Sequence, residues 1–296
     1  MNIRTLRENA ADKSYFVSVQ SYIDFAKRFT EYIQTGIQAE IVSQNENNYV
    51  FFQYGSEASY CVTRPINKKI FLDCANLERK QDVFIYLLHN IKHKNNKYNP
   101  EDRKTINELI YTCQQSIGAA LDAIPQREAN KARKINGDLF ETFIRLIIAE
   151  LGIDVSSLTE QIPIPQSGNL SMSYQHDIVI KSNNLLKAIG SVKTSSKDRL
   201  DKIFLDKYLY NKLTQTDIPH FAIFLNDVQR QGKEGKYSIN PTFLPGHFIG
   251  YSIALNPLDG VYYCDLRPNM KSNDYLHENI KSIDELLLND IWKFIK

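Results

Sequence analysis

The sequence predicts a mixed α/β (α+β) protein: a central mixed β-sheet flanked by helices, preceded by an N-terminal α/β part. Three observations point there. Runs with helical spacing alternate with short β-branched and aromatic runs along the 296 residues. A hydrophobic share of 43% against 24% charged residues can fill one large core or two modest ones. After Pro125 the pattern changes to a single helix followed by strands.

Taken in order, residues 16–35 place Phe16, Val19, Ile23, Phe25, Ala26, Phe29 and Ile33 on one helical face. The runs 37–43, 49–54 and 58–63, separated by Asn and Gly turns, are expected strands. Helices are expected at 78–93 and 101–120. Pro125 and the basic residues Arg127, Lys131, Arg133 and Lys134 mark a joint between a region 1–125 and a module 126–296. The module opens with a helix over 138–151, with Asp138 and Glu141 in its first turn and Gly152 as its stop. Strands at 176–181 and 185–193 flank the turn Ser182-Asn183-Asn184. A helix at 199–213, strands at 220–225, 247–255 and 260–264, and a closing helix at 282–295 follow. Hairpin, crossover helix and further strand together give a mixed sheet.

Several functions are excluded. No run of 18 or more apolar residues exists, and the first residues carry Arg4, Arg7, Glu8 and Asp12 where a signal peptide needs an apolar stretch, so a cytoplasmic protein without membrane contact is expected. Cys61, Cys74, Cys113 and Cys264 lack CxxC spacing and are expected reduced. GxxxxGK[ST], GxSxG and GxGxxG are absent, so no nucleotide cofactor is expected. His89 and His93 lie one helical turn apart with Cys61 and Cys74 upstream, but no zinc knuckle or HExxH accompanies them, and a solvated helix face is the expectation.

One constellation carries chemistry. Phosphodiester hydrolysis needs carboxylates to hold Mg²⁺ and a lysine beside the attacking water. Glu141 on the first helix of the module, Asp177 at a strand start and Lys193 at the end of the next strand supply them. The acid that the PD-(D/E)XK spacing puts two residues before the lysine is Ser191 here, and Asp206, thirteen residues after Lys193, offers a relocated carboxylate. A three-residue hairpin loop sets Asp177 opposite Ser191 with Lys193 on the same side; a two-residue loop does not, unless a bulge corrects the phase.

Gly137 to Glu141, His176-Asp177, Ser191-Val192-Lys193 and Asp206 together resemble the PD-(D/E)XK type II restriction endonucleases, in the group that cuts CCGG and CCNGG cores. His176 stands where Pro is usual and Asp206 where Glu is usual. The resemblance implies a restriction-endonuclease-like core, with Asp177, Asp206 and Glu141 as Mg²⁺ ligands, Glu141 acting through water, and Lys193 as the catalytic lysine. It also implies base reading by Lys197, Asp198 and Arg199, where the cations suit guanine O6 and N7 and the acid suits cytosine N4. The implied function is cleavage of double-stranded DNA at a short, G·C-rich palindrome by a homodimer, the protein's two-fold axis matching the DNA's. A non-specific nuclease of repair or phage defence on the same scaffold, or a DNA-binding module without catalysis, are the alternatives.

Plainer roles stand beside these. Asp177 suits a turn, Asp198 a helix cap and Glu141 a helix dipole. Arg230, in a polar basic segment after the 220–225 strand, suits phosphate contact or a plain surface loop, and Arg267 is expected exposed beyond the last strands.

Overall fold

The computed structural model describes residues 2–55, 62–91, 97–165, 168–197, 199–233 and 235–296. The chain forms two compact units, one of residues 1–146 with 227–242, the other of 147–226 with 243–296.

The first unit begins with α1 (Ile3–Ala11) and α2 (Val19–Thr35). The second helix starts at 19 rather than 16 because the Ser18 and Ser21 side chains cap each other's backbone N–H groups. Strands β1 (Ile37–Val42), β2 (Tyr49–Tyr54) and β3 (Ile66–Asn67) form an antiparallel sheet, followed by α3 (Cys74–Ile91) and α4 (Pro100–Asp122). The expected strand 58–63 lies mostly outside the described residues; Val62 makes a single bridge to Gln53. Asn99 caps α4, Pro100 occupies its first turn, and the stretch from Glu108 to Leu121 is buried throughout. Arg64 grips Asp122 in a fork, Nε to Oδ2 at 2.9 Å and Nη2 to Oδ1 at 2.8 Å. Gly118 makes room for it, since a Cβ there would stand 2.2 Å from the guanidinium.

Next comes α5 (Ala129–Glu150), which starts well before the expected 138. Buried Ala132 and Ile135 continue its apolar stripe toward the N-terminus, and a Cβ at Gly137 would meet nothing, so the glycine does not interrupt it. Asp138 and Glu141 are therefore mid-helix, not in a first turn. Tyr22 stacks on Phe143 at 4.2 Å and donates to the Leu139 carbonyl at 2.8 Å, which ties this half of α5 to α2.

The second unit is built on six strands: β4 (Asp154–Pro163), β5 (Ser171–Ser182), β6 (Leu185–Lys193), β7 (His220–Phe224), and two described below. Helix α6 (Leu200–Thr214) crosses from β6 to β7. The chain then leaves to form β8 (Val228–Lys233) and β9 (Lys236–Pro241) in the first unit, and returns as α7 (Pro245–Ala254), β10 (Gly260–Tyr263), α8 (Asp274–Asn279) and β11 (Ile280–Ser282). The sheet order is β11-β10-β7-β6-β5-β4, antiparallel among β4, β5 and β6 and parallel from β6 to β11. The expected mixed sheet flanked by helices is present.

Two segments differ from expectation here. Residues 247–255 are helical, not a strand: the buried pair Phe248 and Ser252 is four residues apart, a helical period that an almost wholly apolar run conceals. The closing helix is broken into Ile283–Glu285, a π-turn at Leu286–Asp290, and Ile291–Phe294. Asp290 there gathers Lys281, Lys293 and the Tyr262 hydroxyl at 2.6 to 2.9 Å, which together hold its carboxyl below the usual range against the cost of burial. Arg267, expected exposed, is buried at 8%.

On one face of the sheet Leu200, Ile203 and Phe204 of α6 pack with Ala222, Phe224, Phe243 and Phe248. Cys74, Cys113 and Cys264 are free thiols, and burial pushes the latter two well up; Cys61 lies outside the described residues. Among the described residues no helix is long and apolar enough to cross a membrane.

Candidate active site

The β5–β6 hairpin closes with a two-residue loop, Asn183-Asn184, between the pair Ser182↔Leu185. Both asparagines have positive φ, 52° and 61°, the left-handed conformation that matches the strands' twist and that Asn tolerates better than most residues. Taken alone this loop would set the wrong phase. The register slips once, from Lys181↔Leu186 to Ile180↔Ala188, leaving Lys187 as an extra residue on β6. Beyond it Val179 faces Ile189 and Ile178 faces Gly190, so one more step sets Asp177 across from Ser191, with Lys193 on the same side. Of the two routes open to the sequence, the chain takes the bulge.

A second irregularity sits at the aspartate itself. Ser156 pairs with Val179 but Leu158 with His176, so two steps on β4 span three on β5. The surplus falls at Asp177-Ile178. Because β5 starts at Ser171, Asp177 lies inside a long strand rather than at its start, and the bulge alters the regular alternation between His176 and Asp177.

Asp177 is 8% exposed. Its Oδ2 accepts the Val192 backbone N–H at 2.9 Å and pairs with the Lys193 ammonium. Lys193 ends β6, where the parallel ladder pairs it with Phe224 at the end of β7, and its side chain keeps 29% of its exposure. Carboxyl ends of parallel strands are where open α/β sheets hold ligands. Gly190 packs under this pair of strands, and a Cβ there would stand 2.5 Å from the Phe221 ring.

His176 gives a polar cluster that sequence reasoning did not single out. Its Nε2 meets Glu160 Oε1 at 2.8 Å, its ring lies parallel to Tyr174 at 5.9 Å, and Tyr210 of α6 meets it edge-on at 5.2 Å. Glu160 also bonds the Tyr210 hydroxyl, whose ionisation burial, foremost, and this acid push well up. Nothing in the sequence pointed to Glu160, because the polar run 154–163 lacks a strand's apolar alternation. His220, on β7, meets Tyr210 at 5.4 Å, and burial drives its pKa down to about 4.

The other expected site residues are placed as follows. Asp206, half-buried on α6, pairs with Lys202 at 3.1 Å, and Tyr174 feels its charge: burial first, then Asp206, pushes that phenol up to about 12. Glu141 lies on α5 within the first compact unit, whereas Asp177, Ser191, Lys193 and Asp206 belong to the second. Lys197 and Arg199 are exposed just before α6; Arg199 occupies the cap position without a side-chain cap bond, and Asp198 lies outside the described residues.

Arg230 is engaged within its own unit, donating to the Val62 carbonyl and to that of Thr63 at 3.3 Å. Among the described residues one group of three ligand-type side chains converges within 4.8 Å: Glu31, Cys74 and Glu78 on α2 and α3. Glu78 is already paired with Lys27 at 2.7 Å.

Across 99% of this chain and 97% of the other, the structure superposes on the type IIP restriction endonuclease Kpn2I with a TM-score of 0.72 at 18% identity. This is a restriction-endonuclease fold. A restriction endonuclease PspGI–substrate DNA complex is also similar, with a TM-score of 0.44 and 13% identity over 74% of this chain and 92% of that one. No family model matches the chain, and no curated protein does. Within the restriction-endonuclease fold, Asp177 and Lys193 occupy the middle and end of adjacent central strands.

Proposed function

We propose that this chain is a type II restriction endonuclease, a cytoplasmic, Mg²⁺-dependent enzyme that hydrolyses both strands of double-stranded DNA at a short, G·C-rich palindrome. The observation that carries the reading is the Asp177–Lys193 pair, set on one side of a hairpin whose register is corrected by a bulge. The slip at Lys187 sets the common side of Asp177, Ser191 and Lys193, the second irregularity falls at Asp177 itself, and bulges of this kind re-aim side chains next to active sites. The fold shared with Kpn2I over nearly the whole chain supports the same reading.

The donor chemistry suits Mg²⁺. Asp177 offers hard carboxylate oxygen, and Mg²⁺ is commonly held by one or two carboxylates with substrate phosphates and water completing its shell. Asp177 and Asp206 would hold the ion. When bound, the ion supplies charge neutralisation at the scissile phosphate and a more acidic water. Lys193, held by Asp177, presents an ammonium where it can orient the attacking water and stabilise the oxyanion. Ser191, on the same side, can hydrogen-bond that water or a phosphate oxygen. Lys197, Asp198 and Arg199, before α6, would read G·C pairs in the major groove. A homodimer would present two such centres to the two strands of a palindrome.

The test is a digest of genomic DNA with Mg²⁺ followed by sequencing of the ends. Ends at one short sequence are expected; scattered ends would make it a non-specific nuclease, and no Mg²⁺-dependent ends would end the reading. Asp177→Asn and Lys193→Ala should each slow cleavage by roughly 10³-fold while duplex binding in Ca²⁺ is retained.

A further inference from the structure

The β8–β9 hairpin has no part in the chemistry above, yet it is built as a rigid two-faced ribbon. Its register pairs Val228↔Pro241, Arg230↔Ile239 and Gly232↔Tyr237 on one face, and Gln229↔Asn240, Gln231↔Ser238 and Lys233↔Lys236 on the other. The first face is packed down at Val228 and Ile239, while Arg230, Gly232 and Pro241 remain exposed. Val228 and Ile239 are buried with Tyr49, Phe51 and Val62, while Arg230 lies 5.7 Å from the Tyr237 ring and donates to the Val62 and Thr63 carbonyls. The β9 edge is fastened as well. Asn45 uses its side-chain amide like a strand backbone, donating to the Ile239 carbonyl at 2.8 Å and accepting the Ile239 N–H at 3.0 Å, and the Gln44 N–H reaches the Tyr237 carbonyl at 2.9 Å.

The second face is different in kind. It consists of Gln229, Gln231, Lys233, Lys236, Ser238 and Asn240, all at least partly exposed, and none is acidic. Glu234, in the tip between the lysines, lies outside the described residues. That face offers amides, a hydroxyl and two ammonium groups, and no carboxylate. Amides can both donate and accept in one plane, which matches adenine N6 and N7, and lysines at a tip suit phosphates. A two-stranded ribbon fits the B-DNA major groove. In sequence, β8 begins four residues after Phe224, the partner of Lys193 in the parallel ladder.

We propose that this ribbon is a DNA-reading element: Gln231, Asn240 and Ser238 contact base edges, and Lys233 and Lys236 hold the neighbouring phosphates. The inference rests on the restriction-endonuclease reading for its substrate. It adds a source of sequence preference that the residues around Lys193 do not supply. Arg230 is the ribbon's mounting rather than its reader.

The experiment pairs digests in Mg²⁺ with binding in Ca²⁺ to duplexes whose flanks are randomised around the cleaved site, using the full-length protein. Gln231→Ala with Asn240→Ala should lower discrimination at a flanking pair by about tenfold to a hundredfold, with thermal stability unchanged. Lys233→Ala with Lys236→Ala should weaken binding to all duplexes alike and flatten the dependence of log K on log salt by roughly two. If the wild type cuts at one site and these variants keep its flank preference and salt slope, the ribbon proposal is overturned. Preferential displacement of the duplex by a single-stranded RNA competitor would overturn it too. If the wild type makes no ends but the variants still lose duplex binding, the nuclease reading fails and the ribbon stands.

Discussion

Two antiparallel hairpins of this protein, β5–β6 and β8–β9, solve opposite problems. β5–β6 lies inside a sheet with neighbours on both sides, and Asp177, Ser191 and Lys193 are brought to one side by departures from regularity: paired left-handed asparagines, an extra Lys187, and a further surplus residue at Asp177-Ile178. β8–β9 pairs without a slip from Val228↔Pro241 to Lys233↔Lys236, and its polar face is displayed by plain alternation. A buried carboxylate must meet a lysine at hydrogen-bond distance, which regular pleating does not supply at these positions. A recognition surface needs only rigidity and a side chain at every second residue.

That contrast can be broken. Deleting Lys187 removes the bulge and leaves the two-residue loop in command of the register, turning either Asp177 or Ser191 and Lys193 to the opposite face. Cleavage should fall at least about 10²-fold, with loss of stability, whereas Lys187→Ala keeps the residue count and should cut normally. If the deletion variant cuts at wild-type rate, the bulge does not place the site.

The buried side of the comparison also predicts a pH dependence. His220 pairs with Ile189 of β6 in the parallel ladder, and burial lowers its pKa from 6.5 to about 4. A depressed histidine contributes stability that is fully present above about 6.5 and lost as pH falls toward about 4, because the unfolded chain takes up the proton first. At about 1.4 kcal/mol per unit the loss is roughly 3 kcal/mol. Urea midpoints at pH 7 and 4.5 should differ less in His220→Phe than in the wild type.

In the regular hairpin the sensitive point is the tip. Gly232 has φ 95°, and a Cβ there would lie 2.0 Å from the Lys236 carbonyl oxygen. Gly232→Ala should cost about 1–3 kcal/mol, seen as a lower melting temperature. The smallest effect belongs to the β5–β6 loop. Asn184→Gly should leave stability within about 0.5 kcal/mol, while Asn184→Val should lose roughly 1–2 kcal/mol in urea unfolding.

How much of this was legible beforehand depends on which force decides each element. Strand 185–193 and the helices 101–120 and 199–213 were readable to within a residue or two, because their apolar spacing and end signals agree. The helix α7 was not, since an apolar run with little polar interruption carries no period. β4 and the β8–β9 ribbon were missed for the opposite reason: polar residues dominate them, and pairing with a neighbour rather than their own pattern makes them strands.

The sequence by itself determined the chemical inventory: a carboxylate at 177, a lysine at 193, a serine at 191, a second acid at 206, and the two phases that a hairpin between them could adopt. Tertiary structure alone decided which phase is taken, because the choice between a longer loop and a bulge is set by pairing along β4, β6 and β7 rather than by local preference. It also decided that Glu160 meets His176, that Arg230 serves as a mount, and that Arg267 is buried. These outcomes rest on pairing between strands and on shared burial, where the free energy lies in desolvated hydrogen bonds that the residue pattern of one segment does not contain.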